Sequence, residues 1–159
     1  MQLGNYYASN RDLRFYYEDV IDWQRLTPLY TDDADAAQGW REILNVAGES
    51  IGHQVAARVP QVDRLGTLQR GNDVQVSMPM AENLGGLADL GLMGLRLPPE
   101  YGGIGAPFVI SGAVFEMLAR ADASTMMQYA FCVAPAMMTC DSAPTRRSGG
   151  GYPSWRAAT

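Results

Sequence analysis

Residues 87–124 read LADLGLMGLRLPPEYGGIGAPFVISGAVFEMLARADAS and contain the clearest structural signals of the chain. An apolar helical pattern comes to its end here, and Gly91 terminates it as a helix C-cap does. Paired prolines and paired glycines then exclude regular structure up to residue 106. Pro107 is a favoured first residue of a helix, and apolar residues at helical spacing continue to Arg120. This stretch therefore predicts two helices joined by a tight loop.

Three further helices are predicted on either side of this stretch. Asn10 is a good N-cap for the first helix, which ends at Pro28 because proline cannot continue it. The second and longest helix follows an aspartate-rich cap and ends at Pro60. Its apolar residues recur at three- and four-residue steps, and they are Trp40, Ile43, Leu44, Ala47, Ile51, Val55 and Val59. The last helix, residues 124–138, has Asp122 or Ser124 as its N-cap. It is apolar on nearly every side, so we expect it to be buried.

The segment between the second and third helices is less regular. Residues 61–72 form a polar linker. Val74 and Val76 alternate with polar residues, and this short piece is open to two interpretations, a strand or an extended arm. Pro79 then opens the helix that Gly91 ends. The sequence therefore predicts an all-α bundle of about five helices.

Composition excludes several classes of function. The chain has 159 residues, 17 acidic side chains against 12 arginines, no lysine and a net charge of -5. This acidic balance argues against nucleic-acid binding, which needs a basic surface to neutralise phosphates. No apolar run reaches the length of about 18 residues that a membrane span requires, and no signal peptide is recognisable. Two cysteines, Cys132 and Cys140, form neither a disulfide framework nor a zinc motif, so we expect a reducing cytoplasm.

Several residues that could carry chemistry have simpler interpretations. The Gly-Gly-Ile-Gly run at 102–105 lacks the preceding strand of a dinucleotide fingerprint, which favours a tight turn. His53 is predicted to be a solvated helical residue, and Cys132 to pack as a small hydrophobe. An aspartate cluster lacks the spacing of a calcium loop and is predicted to cap a helix; its members are Asp32, Asp33 and Asp35. No metal site is predicted.

The last predicted helix is rich in methionine. Its four members are Met126, Met127, Met137 and Met138. Methionines on an apolar helix most often belong to the core, and the pattern by itself favours that interpretation. They are also suited to a cleft for a flexible apolar ligand, because thioether side chains adapt their shape.

The stretch 87–124 resembles the N-terminal helical domain of acyl-CoA dehydrogenases. The family's pattern is a helix ending in a Leu-Gly pair, a Leu-Pro-x-Glu-Tyr-Gly-Gly-x-Gly loop, and a helix with a Glu before a small polar turn. Residues 5–23 also resemble the N-terminal extension of a longer bacterial subfamily that includes the methylthiopropanoyl-CoA dehydrogenases. The similarity extends to residue 138. The matching positions of the main pattern are Leu97, Pro98, Glu100, Tyr101, Gly102, Gly103, Gly105, Glu116 and Ser124.

The resemblance implies part of an FAD-dependent enzyme that converts an acyl-CoA thioester to a trans-2-enoyl-CoA and passes electrons to an electron-transfer acceptor. In the family, a carboxylate base removes the α-proton while a hydride leaves the β-carbon for flavin N5. That base and most flavin contacts belong to a middle β-domain and a C-terminal bundle, which also forms the homo-oligomer. We therefore expect no catalytic residue in this chain and poor FAD binding. By position, the acyl-cleft lining would be Met126, Met127 and Ala130, with Tyr129 beside them.

Residues 139–159 differ in kind from the rest. They hold one acid against three arginines and a triple glycine, without apolar periodicity, so we expect a disordered tail. The family continues instead with a glycine, an acidic pair, a glutamine, basic residues and a Leu-Pro pair. The lysine-free composition suggests a GC-rich gene, and residues 139–159, back-translated and read in another frame, resemble that continuation. The resulting hypothesis is a frameshift, natural or from sequencing error, just after Met138.

The resemblance divides the chain into an N-terminal extension helix at 1–30, the family's N-terminal helical domain at 31–138, and the tail. We expect this fragment to be inactive alone and to fold poorly, because surfaces that the family covers with other domains would be exposed. Two alternatives stay open. The chain could be a stand-alone helical module that keeps the shape of the acyl cleft and uses it to bind a partner or lipid. It could also be one part of a split dehydrogenase.

Overall fold

The computed structural model describes residues 4–142, which form a helical domain with one small hairpin. The helices are α1 (Arg11–Phe15), α2 (Trp23–Leu26), α3 (Ala36–Ser50), α4 (Ala56–Leu65), α5 (Met78–Asp89), α6 (Phe108–Ala121) and α7 (Ala123–Ser142). Two π-helical segments are Tyr16–Val20 and Ile51–Val55, and three 3-10 turns are Thr27–Leu29, Leu92–Gly94 and Pro99–Tyr101. The strands are β1 (Thr67–Arg70) and β2 (Asp73–Val76). The prediction of an all-α bundle is confirmed.

The first predicted helix is broken into α1, a π-helical segment and α2. Asn10 caps α1 as predicted, because its side-chain oxygen accepts hydrogen bonds from the amides of Asp12 and Leu13. The π-helical segment ends at Ile21, whose backbone is extended. Asp22 then starts α2 by accepting a hydrogen bond from the Arg25 amide.

The second predicted helix is longer than expected, and the prediction that Pro60 ends it is wrong. The chain passes from α3 through the π-helical segment into α4, which contains Pro60 and continues to Leu65. A proline inside a helix costs about 3 kcal/mol through its missing N–H and its ring. Here Val62, beyond the proline, is buried in the domain, so packing of the last turn offsets that local cost.

The polar linker predicted at 61–72 is also replaced by regular structure. Its first residues belong to α4, and the rest form β1 and the turn of an antiparallel hairpin. Thr67 pairs with Val76, and Arg70 pairs with Asp73 across the turn. Of the two interpretations left open for Val74 and Val76, the strand is correct. Both strands are exposed along their whole length.

The hydrophobic core is continuous from the N-terminal segment to α7. It contains Tyr6 and Tyr7 at one end of the sequence and Tyr129 and Val133 at the other. Its fully buried centre includes Leu44 of α3 and Ile110 of α6. The helix α7 packs on α6, on α5 and on the 3-10 turn at Leu92–Gly94.

The N-terminal segment lies directly against α3 and the π-helical segment that follows it, where two glycines leave room. The Tyr6 amide donates a hydrogen bond of 2.9 Å to the Gly48 carbonyl. A Cβ at Gly48 would come within 2.5 Å of the Tyr7 amide nitrogen, and one at Gly52 within 1.9 Å of the Gly4 carbonyl oxygen. The approach of backbone to backbone therefore depends on glycine at both positions.

Tyr17 ties this N-terminal region to α6. Its hydroxyl donates a hydrogen bond to the carbonyl of Val109, and its own carbonyl accepts one from the Trp23 indole. Burial, and then the nearby carboxylate of Glu116, raise the pKa of Tyr17 to about 12. The neutral phenol is therefore the form that the folded domain favours.

The end of α7 differs from the expected boundary of the tail. The helix continues to Ser142, so its last four residues belong to the segment that was expected to be disordered from residue 139. The remainder of that tail, 143–159, lies outside the described residues. Among residues 4–142, no helix combines the length and hydropathy that crossing a membrane would demand.

Candidate functional site

The loop from Leu95 to Ala106, which we call the Pro-Gly loop, folds back on itself between α5 and α6. The Gly105 amide donates to the Leu97 carbonyl, and the Ala106 amide donates to the Leu95 carbonyl, both at 2.9 Å. The Gly94 carbonyl accepts from the amides of both Leu97 and Ile104, each at 3.1 Å. The two arms of the loop therefore satisfy each other's backbone groups.

The tip of the Pro-Gly loop explains the Tyr-Gly-Gly pattern. The Pro98 carbonyl accepts hydrogen bonds from the amides of Tyr101 and Gly103. Gly102 has a φ of 79°, a conformation that residues with a Cβ rarely adopt. A Cβ at Gly103 would lie 1.9 Å from the Leu97 carbonyl oxygen. The expected tight turn is confirmed, since a 3-10 turn and not a strand precedes these glycines.

The residues of this loop differ in exposure. Leu97, Pro98, Gly103 and Gly105 are partly buried, whereas Glu100, Tyr101 and Gly102 are exposed. Arg96 places its guanidinium 4.9 Å from the centre of the Phe108 ring, a cation–π contact that links the loop to the start of α6. The loop thus fixes the direction in which α6 leaves it.

The N-terminus of α7 is held by Asp122, one of the two predicted caps. Its carboxylate accepts hydrogen bonds from the amides and hydroxyls of Ser124 and Thr125. Burial raises the pKa of Asp122, but these hydrogen bonds outweigh burial and hold that pKa below its ordinary value of 3.8. The carboxylate form is therefore favoured, and it also complements the helix dipole.

A buried polar chain extends from this cap to α5 and α4. The side-chain Nδ2 of Asn83 donates to the Thr125 hydroxyl at 3.0 Å, and both residues are at most 1% exposed. The Arg58 guanidinium donates to the side-chain Oδ1 of Asn83 at 3.3 Å and pairs with the Glu82 carboxylate at 2.9 Å. Because unpaired polar groups would be costly at this depth, these hydrogen-bonded side chains fix the position of α7 relative to α4 and α5.

Tyr129 fixes the middle of α7 on its inward side. Its side chain is fully buried, its hydroxyl donates a hydrogen bond of 2.8 Å to the Leu92 carbonyl, and its ring meets Phe115 edge-on at 5.2 Å. Burial raises the pKa of Tyr129 above its ordinary value. This residue is part of the core.

The opposite side of α7 is apolar and exposed, so the expectation that this helix is buried all round is wrong. Met127, Phe131 and Met138 are 47%, 67% and 69% exposed. Ala134 lies between them on the same side and is also exposed. We call these four residues the outward stripe. Cys132 is exposed as well, so its predicted core role is wrong.

The four residues predicted to line an acyl cleft are divided between these two sides. Met127 belongs to the outward stripe, while Met126 is partly buried against the core and Ala130 is partly exposed. Tyr129 faces the interior. The structure therefore places only Met127 on the exposed side of α7, with Ala130 partly exposed, while Met126 packs against the core and Tyr129 lies inside it.

The chemistry available on this surface is apolar contact. From Ala123 to Cys140 the sequence contains no acidic or basic side chain. Phe131 and Ala134 were missed as candidates for this surface, although their spacing of four and seven residues from Met127 is helical. The polar chain through Asn83 was also missed, because its partners are far apart in sequence.

The other candidate sites have structural roles. Asp35 precedes α3, but its side chain makes no cap hydrogen bond; the Asp33 carboxylate accepts from the Asp35 amide instead. The aspartate cluster therefore orders the turn before the helix and does not cap it as predicted. His53 is exposed in the π-helical segment, as predicted. Within residues 4–142, no three His, Cys, Asp or Glu side chains are grouped as a metal site.

The fold and this surface define a helical domain that contains a glycine-rich loop and presents an apolar helix. Residues 49–142 match the family description "Acyl-CoA dehydrogenase, N-terminal domain". The chain belongs to the acyl-CoA dehydrogenase family through this domain. The match includes the Pro-Gly loop and the whole of α7. No solved structure matches the chain.

Proposed function

We propose that the chain serves as the N-terminal domain of an FAD-dependent acyl-CoA dehydrogenase and supplies one apolar wall of its acyl cleft. The observation that carries this proposal is the position of the outward stripe, on the second helix after the family loop and inside the matched region. A wall without charged groups suits an acyl chain, whose burial releases about 0.8 kcal/mol per methylene. The reaction proposed is α,β-dehydrogenation of an acyl-CoA thioester.

The residues we propose for the wall are Met126, Met127 and Ala130, with Tyr129 holding the helix from behind. Met126 and Met127 have flexible thioether side chains that can follow a curved apolar ligand. Tyr129 is bonded to Leu92 and therefore sets the rotation of α7 about its own axis. The family's other domains would bind FAD, the acyl-CoA headgroup and the electron-transfer acceptor. They would also supply the catalytic base.

We also propose that the chain belongs to the longer bacterial subfamily that includes the methylthiopropanoyl-CoA dehydrogenases. The support is the N-terminal segment, whose Tyr6, Tyr7 and Tyr17 are core residues of the domain. The N-terminal segment is therefore an integral part of the domain's hydrophobic core.

A chimera tests the proposed function. Residues 5–142 would replace the N-terminal domain of a complete acyl-CoA dehydrogenase, and we expect the product to bind FAD and to bleach its flavin when acyl-CoA is added. Met127→Glu should raise KM for acyl-CoA at least about tenfold, because a carboxylate on the wall repels an apolar chain. Phe15→Glu, the control, changes an exposed residue of α1 and should leave KM unchanged. Equal KM values for the two variants would refute the proposal that α7 lines the acyl cleft.

The frameshift is a separate proposal with its own test. Resequencing the gene after the codon for Met138 should show a second frame that encodes the family's continuation. An adjacent gene for the missing domains would instead indicate a split dehydrogenase. An intact frame with no dehydrogenase sequence downstream would leave the stand-alone binding module.

A further inference from the structure

Thr125 is a buried threonine two residues before Met127, the exposed member of the proposed wall. Thr125 is 0% exposed, whereas Met127 is 47% exposed. At about 100° per residue, two residues correspond to roughly 200° around the helix axis, so the two side chains lie on opposite sides of α7. Tyr129 is also 0% exposed, lies two residues beyond Met127 and shares the inward side with Thr125. Met127 is therefore placed between two inward-facing residues along the helix.

Both inward-facing residues are held by hydrogen bonds, each to a different element. The Thr125 hydroxyl accepts a hydrogen bond of 3.0 Å from the side-chain Nδ2 of Asn83, in α5. The Tyr129 hydroxyl donates one of 2.8 Å to the carbonyl of Leu92, in the 3-10 turn after α5. Two such contacts about 6 Å apart along α7 restrict both its rotation about its axis and its sliding along that axis. The position of Met127 therefore depends on both.

The hydrogen bonds that reach Thr125 all run in one direction, from a cation to an anion. Arg58 donates to Oδ1 of Asn83, which leaves the Nδ2 of Asn83 as the donor to Thr125. The Thr125 hydroxyl has one proton, which it donates to the Asp122 carboxylate. The Met80 thioether, 3.5 Å away, is a weaker acceptor. Hydrogen bonds aligned in this way strengthen one another, so the orientation of the Asn83 amide is set.

From these observations we infer that Thr125 is a positioning residue for the acyl-cleft wall, and that Asn83 is the donor that holds it in place. Neither residue would touch the acyl chain, because both are at most 1% exposed. They act through α7, by fixing the place and the direction from which Met127 presents its thioether side chain. This inference rests on the proposed function, since it concerns the wall to which Met127 belongs.

Hydrogen exchange in the full 159-residue chain tests the contact without any enzyme activity. The Met126 amide donates to the Asp122 carbonyl at 3.0 Å in the first turn of α7. Thr125→Val keeps the shape of the side chain but removes its hydroxyl, and it should speed exchange of this amide at least about tenfold. Unchanged exchange would show that the hydroxyl does not hold this part of α7, and it would overturn the inference.

A split between KM and kcat tests the positioning role itself. In the chimeric acyl-CoA dehydrogenase that carries residues 5–142, Thr125→Val should raise KM for acyl-CoA at least about threefold. The value of kcat should change less than about twofold, because the wall contributes to binding and does not touch the reacting atoms. Thr125→Ser retains the hydroxyl and should keep KM within about twofold of the unmodified chimera. An equal rise in KM for the serine variant would overturn the inference.

Ser111→Ala is the matched control for the loss of a buried hydroxyl. Ser111 is 0% exposed, and its hydroxyl donates to the Phe108 carbonyl within α6 at 2.8 Å. Its removal should lower the melting temperature and leave both KM and the exchange of the Met126 amide unchanged. If Ser111→Ala and Thr125→Val raised KM equally, the effect would reflect a general loss of stability, and the positioning role would be refuted.

Asn83→Asp tests the direction of the hydrogen bonds and gives a second variant should Thr125→Val fail to fold. The aspartate keeps the size of Asn83 and the oxygen that accepts from Arg58, but an acceptor replaces the Nδ2 donor. We expect the same rise in KM as for Thr125→Val. An unchanged KM would show that the donor from Asn83 does not position the wall.

Met127→Glu distinguishes failure of this inference from failure of the proposed function. If Met127→Glu leaves KM unchanged, the wall is refuted, and the positioning role is refuted with it. If Met127→Glu raises KM and Thr125→Val does not, the wall stands and the positioning role alone is refuted.

Discussion

Asp122 shows how a single side chain can define the start of a helix. It is the residue between α6 and α7, and it accepts hydrogen bonds from Ser124 and Thr125 while the helix dipole adds to its stabilisation. The sequence offered Asp122 and Ser124 as alternative caps. The structure selects Asp122, and Ser124 becomes one of its donors. The choice depends on the burial of Thr125, which no local pattern reveals.

The lowered pKa of Asp122 predicts a specific acid dependence. The hydrogen bonds of the folded state favour the ionised carboxylate of Asp122. The contribution of Asp122 to stability is therefore complete above the ordinary pKa of 3.8, and it is lost as pH falls through the lower pKa that Asp122 has in the folded domain. Asp122→Asn should therefore lower the free energy of unfolding by about 1 kcal/mol at pH 7, and the difference from wild type should shrink below pH 4. Urea unfolding at several pH values measures this. Asp63→Asn, on the exposed side of α4, is the control; a pH-independent gap for Asp122→Asn would contradict the prediction.

The joined helices α3 and α4 show why the boundaries of elements were harder to predict than their existence. The apolar spacing from Trp40 to Val55 identified the helix correctly. Its end was misplaced because the rule for Pro60 is local, whereas the burial of Val62 is a tertiary effect. Only the second strand of the hairpin was considered from the sequence. The first strand, β1, was missed because it is exposed and has no alternation of apolar and polar residues.

The groove on α3 that receives the N-terminal segment gives a prediction at this scale. Gly48→Ala should displace the segment, because the new Cβ would lie 2.5 Å from the Tyr7 amide nitrogen. We expect faster hydrogen exchange of the Tyr6 amide, which donates to Gly48, and a loss of about 1–3 kcal/mol in stability. Gly39→Ala lies on the same helix with open space around it, and should be neutral or stabilise by about 0.5–1 kcal/mol. Unchanged exchange at Tyr6 in the Gly48 variant would count against the contact.

At the scale of the whole molecule, family motif and helix content were predictable, but the distribution of buried surface was not. The Pro-Gly loop was identified because its prolines and glycines constrain the backbone locally. The uniform apolar composition of α7 gave no indication of which side would face the core. That choice is made by Tyr129, through its hydrogen bond to Leu92.

The extent of the core predicts that residues 1–30 are required for folding. They contribute large core side chains worth about 1.5–3 kcal/mol each, which together exceed the stability of many domains; these are Tyr6, Tyr7, Leu13, Tyr17 and Trp23. A chain that begins at residue 31 should therefore show no cooperative thermal transition by circular dichroism. Adding a peptide of residues 1–30 should restore the transition. A sharp transition without the peptide would show that this region is a separable extension.

The contact between Trp23 and Trp40 gives the protein an intrinsic optical reporter. The two indole rings are buried with centroids 6.0 Å apart, and they join the N-terminal region to α3. Their fluorescence should be blue-shifted and should move to the red when that junction opens. With Trp155→Phe, emission would come from this pair alone. The helix α7 contains no tryptophan. The fluorescence of such a variant would therefore report whether the N-terminal region is packed on α3, and it would not respond to binding at the outward stripe.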